Sequence, residues 1–356
     1  LADGVIIATP DQLHVEPALR AMELGYDILL EKPIAPTREE VLKVARAAER
    51  LQDRGGSVTV AHVLRYTPFF STLKGLLDAG RIGHVVSIQY TENIGYWHFA
   101  HSYVRGNWRR EATSSPMILA KSCHDLDMLR WLVGRPWVRL ASFGSLLHFR
   151  PEHAPPGAPE RCIDGCPASE SCPFDAVRFY VEALADSTGW PVSVITHDLS
   201  REGRLQALRE GPYGRCVYRS DNDVVDHQVV SLEFAGGVTA AFTVCAFTEE
   251  NTRTLKLMGT HGEIRGHLEK GELEVRSFVP QGTRGSGREV LHVPAGAGHA
   301  GGDDGLMAAF VGRLRARKEG RVPEEALTSL AESLESHLMA FAAEASRREG
   351  RVVEAG

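Results

Sequence analysis

Gly4-Val5-Ile6-Ile7-Ala8-Thr9-Pro10, followed by residues 11–24 with apolar side chains at helical spacing and a stop at Gly25, decides the fold. A short β-branched run closed by proline predicts a buried strand, and the three-and-four spacing predicts a helix packed on it. The unit then repeats. Residues 26–30 predict a second strand, Thr37 opens a helix to about residue 53 as the cap of a Thr-Arg-Glu-Glu box, and residues 57–61 predict a third strand. Strands alternating with helices require right-handed parallel crossovers, hence an α/β, doubly wound parallel sheet. Three parallel strands alone would leave a long apolar edge, and no glycine-rich loop precedes them, so the expectation is a truncated unit whose upstream half is missing.

The texture changes after Pro68. A helix over 68–79 precedes strand-like runs at 84–90, 138–149, 224–234, 238–247, 252–259 and 272–279, several joined by hairpin turns such as Ala235-Gly236-Gly237 and Lys270-Gly271. This predicts a second, α+β domain on a large, open, mostly antiparallel sheet. Two helices close the chain, one after Gly301-Gly302-Asp303-Asp304 and one over about 323–348.

Composition narrows the function. Of 356 residues, 40 are Lys or Arg and 46 Asp or Glu, for a net charge of −6 with no long basic run, so a nucleic-acid surface lacks its electrostatic footprint. No uninterrupted apolar stretch approaches the roughly 18–20 residues of a membrane span. Six cysteines are too few for a disulfide scaffold. The chain is expected to be cytoplasmic, with a small molecule as its partner and neither nucleic acid nor membrane.

Four places carry chemistry. Glu31-Lys32-Pro33 follows the second strand at its carboxyl end, where open α/β sheets bind ligands, and Pro33 suits a sharp or cis turn that aims the Lys32 ammonium inward. A helix predicted from a Ser114-Ser115-Pro116 start to Gly134 places Ala120, Lys121, His124 and Asp127 on one face, a possible acid–base set in which Asp127 fixes the His124 tautomer. A solvated helix face is the plainer alternative. Six aromatic residues fall within residues 90–110, interleaved with His98, His101, Arg105 and Arg109, a mixture suited to a polyol or sugar or to covering a core. Finally, Cys162, Cys166 and Cys172 cluster, with Cys216 or His153 as a possible fourth metal ligand. Spacings of three and five intervening residues match no common zinc pattern, so free thiols and no metal are the default expectation.

Taken in order, Ile7-Ala8-Thr9-Pro10-Asp11-Gln12-Leu13-His14, Glu31-Lys32-Pro33 and the helix bearing His124 and Asp127 resemble the glucose-fructose oxidoreductase, inositol dehydrogenase and MocA (Gfo/Idh/MocA) family. Arg81-Ile82-Gly83-His84-Val85 and the run from Leu257 to Ile264 extend the resemblance over nearly the whole chain. It implies that residues 1–66 are the carboxyl-terminal half of a Rossmann domain binding NAD or NADP. Residues 67–356 would be a substrate domain whose open sheet forms homo-oligomer contacts. It also implies hydride transfer at a hydroxyl-bearing carbon of a sugar or cyclitol. Carried over by motif, Thr9, Pro10 and His14 line the dinucleotide, and Glu31 and Lys32 stand by nicotinamide and substrate. His124 is the acid–base residue, and Trp108 and Arg109 contact the mouth of the site. Many members carry Asp where this chain has Ala120, a loss for which Lys121 is the candidate compensation. Two rival readings are an NAD-dependent glycosidase of similar fold, with no net cofactor turnover, and a non-catalytic sugar sensor or scaffold.

Overall fold

The structure is a computed structural model that describes residues 2–281, 287–294, 296 and 298–356. In its first unit β1 (Gly4–Ile7), α1 (Val15–Glu23), β2 (Asp27–Leu30), α2 (Arg38–Gln52) and β3 (Val58–Val60) follow one another, and the strands pair in parallel in the order β1-β2-β3. Central β2 is buried at all four residues, which is why it reads as an unbroken apolar run. Thr37 caps α2, its Oγ1 accepting from the Glu40 N–H at 3.3 Å and donating to Glu40 Oε2 at 2.7 Å, a device worth about 1 kcal/mol. Residues 11–13 form a 3-10 turn ahead of α1 because Asp11 is held by partners from the second unit.

The second unit contains α3 (Pro68–Asp78), β4 (Val85–Gly95), α4 (Tyr96–Phe99), α5 (Met117–Ala120), α6 (Cys123–Val133) and β5 (Trp137–Ser145). A long insert with α7 (Val192–Ile195) and α8 (Arg201–Glu210) leads to β6 (His227–Phe234), β7 (Val238–Thr248), β8 (Thr252–Gly259), β9 (Gly262–His267), β10 (Glu272–Ser277) and β11 (Arg288–His292). After α9 (Gly298–Lys318) and α10 (Leu330–Glu349), β12 (Val353–Glu354) ends the chain. Among the described residues, nine strands form one sheet in the order β11-β10-β9-β8-β4-β7-β6-β5-β12, and only the β4–β7 pairing is parallel. Its core-facing side packs Ile88, Tyr90, Phe242, Val244 and Leu257 against Leu119, Leu126 and Met339 from the helices.

Three expectations are corrected. The helix over 114–134 is two helices, broken at Lys121-Ser122, and neither Ser114 nor Ser115 caps it. Pro116 stands at the start of α5 with no side-chain cap, and both serine hydroxyls donate to Asp11. The last long helix begins at Leu330 rather than near Pro323, because the segment before it pairs with β3. There Val60 N–H donates to Thr328 O at 2.8 Å, and Thr328 Oγ1 donates to Val60 O at 2.7 Å. That pairing lines the β3 edge of the parallel sheet, while β1, the strand expected to lack an outer neighbour, stands at the opposite edge. β9, β11 and β12 carry too little apolar alternation to be read in advance.

The closing helices return to the first unit. Leu306 and Phe310 of α9 pack on Leu29, Ala61 and Val63, covering the sheet face opposite α1 and α2. A Cβ on Gly302 would stand 2.4 Å from the Val63 carbonyl oxygen, so glycine is what lets α9 lie this close. Both units are thereby bound around the carboxyl ends of β1–β3.

Candidate active site

β1, β2 and β3 end side by side, and each delivers a short polar segment to the junction with α5 and α6. From β1 the chain passes through exposed Thr9 and Pro10 to buried Asp11 and His14. The His14 ring lies between two carbonyl oxygens, Nδ1 2.7 Å from Pro33 O and Nε2 2.8 Å from Thr9 O, so it ties the two strand-end loops together. Asp11 accepts from Ser114 and Ser115 Oγ at 3.2 Å each and from Trp108 Nε1 at 3.4 Å, fastening the aromatic segment to the first unit.

From β2 comes Glu31, whose Oε2 accepts from Lys32 N–H at 3.2 Å, and then Lys32 before a cis peptide to Pro33. Lys32 Nζ donates to the Ala120 carbonyl oxygen at 2.8 Å. The position where the family resemblance leads one to expect a carboxylate therefore still gives the ammonium an acceptor, from the main chain. His124, on the first turn of α6, is buried; its Nδ1 is enclosed without a hydrogen-bond partner, and its Nε2 forms no hydrogen bond among the described residues. Burial, then the Lys32 ammonium and His62, hold the His124 imidazole well below the usual histidine range, so it is neutral near pH 7.

β3 supplies His62 and Arg65. The Arg65 guanidinium grips Asp127 at two points, Nε to Oδ2 at 2.8 Å and Nη2 to Oδ1 at 2.7 Å, with His62 Nδ1 3.1 Å from Oδ1. Although burial alone would raise the Asp127 carboxyl, His62 and Arg65 bring it down to about 2. Asp127 is thus committed to His62 and Arg65 rather than to the His124 ring, which corrects the expected tautomer contact. The break at Lys121-Ser122 likewise separates Lys121 from its neighbours on the helix: its Nζ pairs with Glu92 at 3.2 Å. Arg253 bridges Glu92, at 2.9 Å, and Asp125, at 2.6 Å, closing a buried network of two cations and two carboxylates. Arg109 turns to Asp221, 2.8 Å away, and to the Gly106 carbonyl. Of the residues singled out by motif, Lys32 and His124 meet at the junction, with Thr9, Pro10, His14 and Glu31 around them and Trp108 tied in through Asp11.

Sequence reasoning missed Asp11, His62, Glu92, Asp125 and Arg253. His62 was within reach of the rule that drew attention to Lys32, since it also follows the carboxyl end of a parallel strand. Glu92 and Arg253 lie on adjacent strands paired only in three dimensions. His62, Cys123 and His337 bring ligand-type atoms within 4.8 Å of one another. Yet both His337 nitrogens are engaged, by the Ile34 N–H and the Ser333 carbonyl, and burial pushes the Cys123 thiol up to about 12. This donor set does not suit a metal.

Burial lowers several other histidines, His98 and His337 to about 3 and His101 to about 4. Unfolded, each binds a proton near pH 6.5. Their folded values lie below that, so their share of stability is present above pH 6.5 and is lost as pH falls toward 3. Thermal melts from pH 7 to 4 should show a falling Tm, and a flat Tm over that range would contradict the neutral burial.

With this geometry in view, comparison with known proteins gives the class. Residues 1–62 match the NAD-binding Rossmann fold of the Gfo/Idh/MocA oxidoreductases, and residues 74–354 match that family's C-terminal alpha/beta domain. The chain belongs to the Gfo/Idh/MocA oxidoreductase family and is an NAD(P)-dependent dehydrogenase. It is 25% identical over 322 residues to the oxidoreductase YteT of Bacillus subtilis, covering 87% of this chain and 72% of that protein. It is 33% identical over 136 residues to inositol 2-dehydrogenase 2 of Saccharopolyspora erythraea, 37% of this chain and 35% of that one. In fold it is similar to a levoglucosan dehydrogenase solved with NADH and levoglucosan (TM-score 0.69, 20% identity, 99% of this chain and 80% of that one). No helix among the described residues is long and apolar enough to cross a membrane.

Proposed function

We propose that the protein oxidises a secondary hydroxyl of a sugar, cyclitol or related polyol, with NAD or NADP as hydride acceptor. The observation that carries this reading is the meeting of Lys32, held on the Ala120 carbonyl, with neutral, buried His124 at the carboxyl ends of the parallel strands. Relatives that bear the names inositol 2-dehydrogenase and levoglucosan dehydrogenase support a polyhydroxylated ring as substrate class. When bound, the nicotinamide supplies the two-electron acceptor. Lys32 Nζ has further protons to donate to the alcohol oxygen, and His124 Nε2 takes the hydroxyl proton as the carbon gives up its hydride. Lys121, ion-paired with Glu92, sets the field near this pair, and Asp127 positions the strand-end segment through Arg65. Thr9, Pro10 and Glu31 would hold the dinucleotide, His14 would fix their loops, and Trp108 and Arg109 would border the mouth. Trp97 and half-exposed Trp190, ring centroids 5.7 Å apart, offer apolar faces to a sugar ring.

The test is nicotinamide reduction by the full-length protein over a panel of cyclitols, anhydrosugars and aldoses with each dinucleotide. Because the His124 imidazole is held below the usual range, the acid limb of kcat/KM should fall below pH 6.5, and a limb above it would contradict the assignment. Sugar release without net reduction, or tight sugar binding without turnover, would overturn the reading.

We further propose that a second copy of the chain covers the outward face of the nine-stranded sheet. There Phe143 pairs with Val229, and Ser87, Thr91, Thr239, Ala241 and Thr243 form a small-residue surface across β4 and β7. Light scattering would report this as a dimer or higher state.

A further inference from the structure

Cys162, Cys166, Cys172 and Cys216 lie in the insert between β5 and β6, and all four line one cavity of about 10 Å³, room for a single water-sized sphere. Two observations set them apart from cysteines that merely fill space. First, the backbone presents them as ligands. Cys166, Cys172 and Cys216 each open a turn in which the carbonyl accepts from the N–H three residues on: Ser169 at 3.2 Å, Asp175 at 3.3 Å and Arg219 at 3.0 Å. A short antiparallel bridge sets the remaining one, Cys162, beside Cys216, with Cys162 N–H on Gly214 O at 3.0 Å and Cys216 N–H on Glu160 O at 2.9 Å.

The second observation is charge. Arg105 is 2% exposed, and its guanidinium reaches Cys162 Sγ at 3.5 Å, Phe174 O at 2.7 Å and Arg215 O at 2.8 Å. Among the described residues it forms no ion pair with a carboxylate, and Asp175, which also lines the cavity, accepts from the Arg178 N–H instead. A buried cation without a counter-ion is costly. Four thiolates around a divalent ion, or around an iron–sulfur cubane, leave about two negative charges beside it.

We propose that Cys162, Cys166, Cys172 and Cys216 are the four thiolate ligands of a soft-metal centre that fastens the insert onto the sheet domain, with Arg105 as its counter-charge. The spread of the sulfurs favours an iron–sulfur cluster as its occupant. Around one zinc, Zn–S bonds of about 2.3 Å would bring sulfurs to roughly 3.8 Å from one another. Here no three of the four lie within 4.8 Å of one another, and a cavity stands between them. The insert has little core of its own, Ala176, Tyr180, Val181, Leu208 and Tyr213 forming a small cluster, so a metal would supply cross-linking that packing does not. The free-thiol expectation rested on spacings that match no common zinc pattern; of the two candidates for a fourth ligand, Cys216 lines the cavity with the other three.

The test is metal and acid-labile sulfide analysis of the full-length protein purified without oxygen, with and without reconstitution by ferrous iron and sulfide. Expected are about four irons and four sulfides per chain, with broad visible absorption bleached by dithionite. One zinc per chain without colour would keep the thiolate centre and replace its occupant. Less than about 0.2 equivalent of any metal after reconstitution, or with zinc supplied in excess, would overturn it. Cys166→Ser should lower metal content at least about fivefold, whereas Cys245→Ser, on β7 away from the cavity, should leave it unchanged. Should Cys166→Ser fail to fold, thiol titration of the folded wild-type chain decides. Metal removal should expose four more reactive thiols, and an unchanged count would contradict the proposal.

Discussion

His124→Ala lowers turnover on the best polyol substrate by about 10²–10⁴-fold, the range for losing a positioned acid–base group, and leaves dinucleotide affinity within about twofold of wild type. Lys32→Ala does the same, because the Ala120 carbonyl that receives its ammonium cannot itself donate to the substrate oxygen. Lys121→Ala is the informative companion. Its ammonium is paired with Glu92 and stands among Arg253 and Asp125, so its removal should act through the charge balance of that network, with a loss of about tenfold or less. A loss matching that of His124→Ala would place Lys121 in contact with substrate. Steady-state kinetics and dinucleotide titration of the three variants separate these outcomes.

Arg65→Ala destabilises the fold by about 3–5 kcal/mol, as expected when one partner of a buried charge pair is removed and the other is stranded. Arg65 and Asp127 are each about 1% exposed, and Arg65 also donates to the Leu327 carbonyl at 2.9 Å, joining β3, α6 and the segment before α10. The sign with pH follows from the depressed Asp127 carboxyl. Its contribution is complete above the unfolded value near 4 and is lost as pH falls toward 2. Denaturant unfolding of Arg65→Ala at pH 7 measures the loss, and a change under 1 kcal/mol would show that His62 and solvent suffice to hold Asp127.

The parallel unit was legible because its signals are local. Thr37 caps a helix visible in four residues, β2 is an apolar run, and Pro10 and Pro33 punctuate the strand ends. Lys32 drew attention by position on a topology that periodicity supplies. What sequence could not show is where side chains go once helices break. Residues 117–133 carry helical spacing throughout, yet the discontinuity at Lys121-Ser122 sends Lys121 to Glu92 and leaves Asp127 to Arg65, 62 residues away in the chain. Ser114 and Ser115 look like a helix start and serve as donors to Asp11, a choice made by tertiary contact over local capping. For the cysteines the sequence offers Cys216 or His153 beside the cluster of three, and it is the bridge at Arg161 and Arg215 that brings Cys216 to them.

The proposed hydride transfer from a carbinol carbon, its hydroxyl oriented by Lys32 and deprotonated by His124, is tested most directly by label transfer. A substrate polyol carrying deuterium at the oxidised carbon is incubated with the full-length protein and dinucleotide, and the reduced cofactor is weighed by mass spectrometry. One deuterium per reduced nicotinamide is expected, formed at the wild-type rate and about 10²–10⁴-fold more slowly by His124→Ala. Unlabelled reduced cofactor, or label transfer at an undiminished rate in His124→Ala, would contradict it.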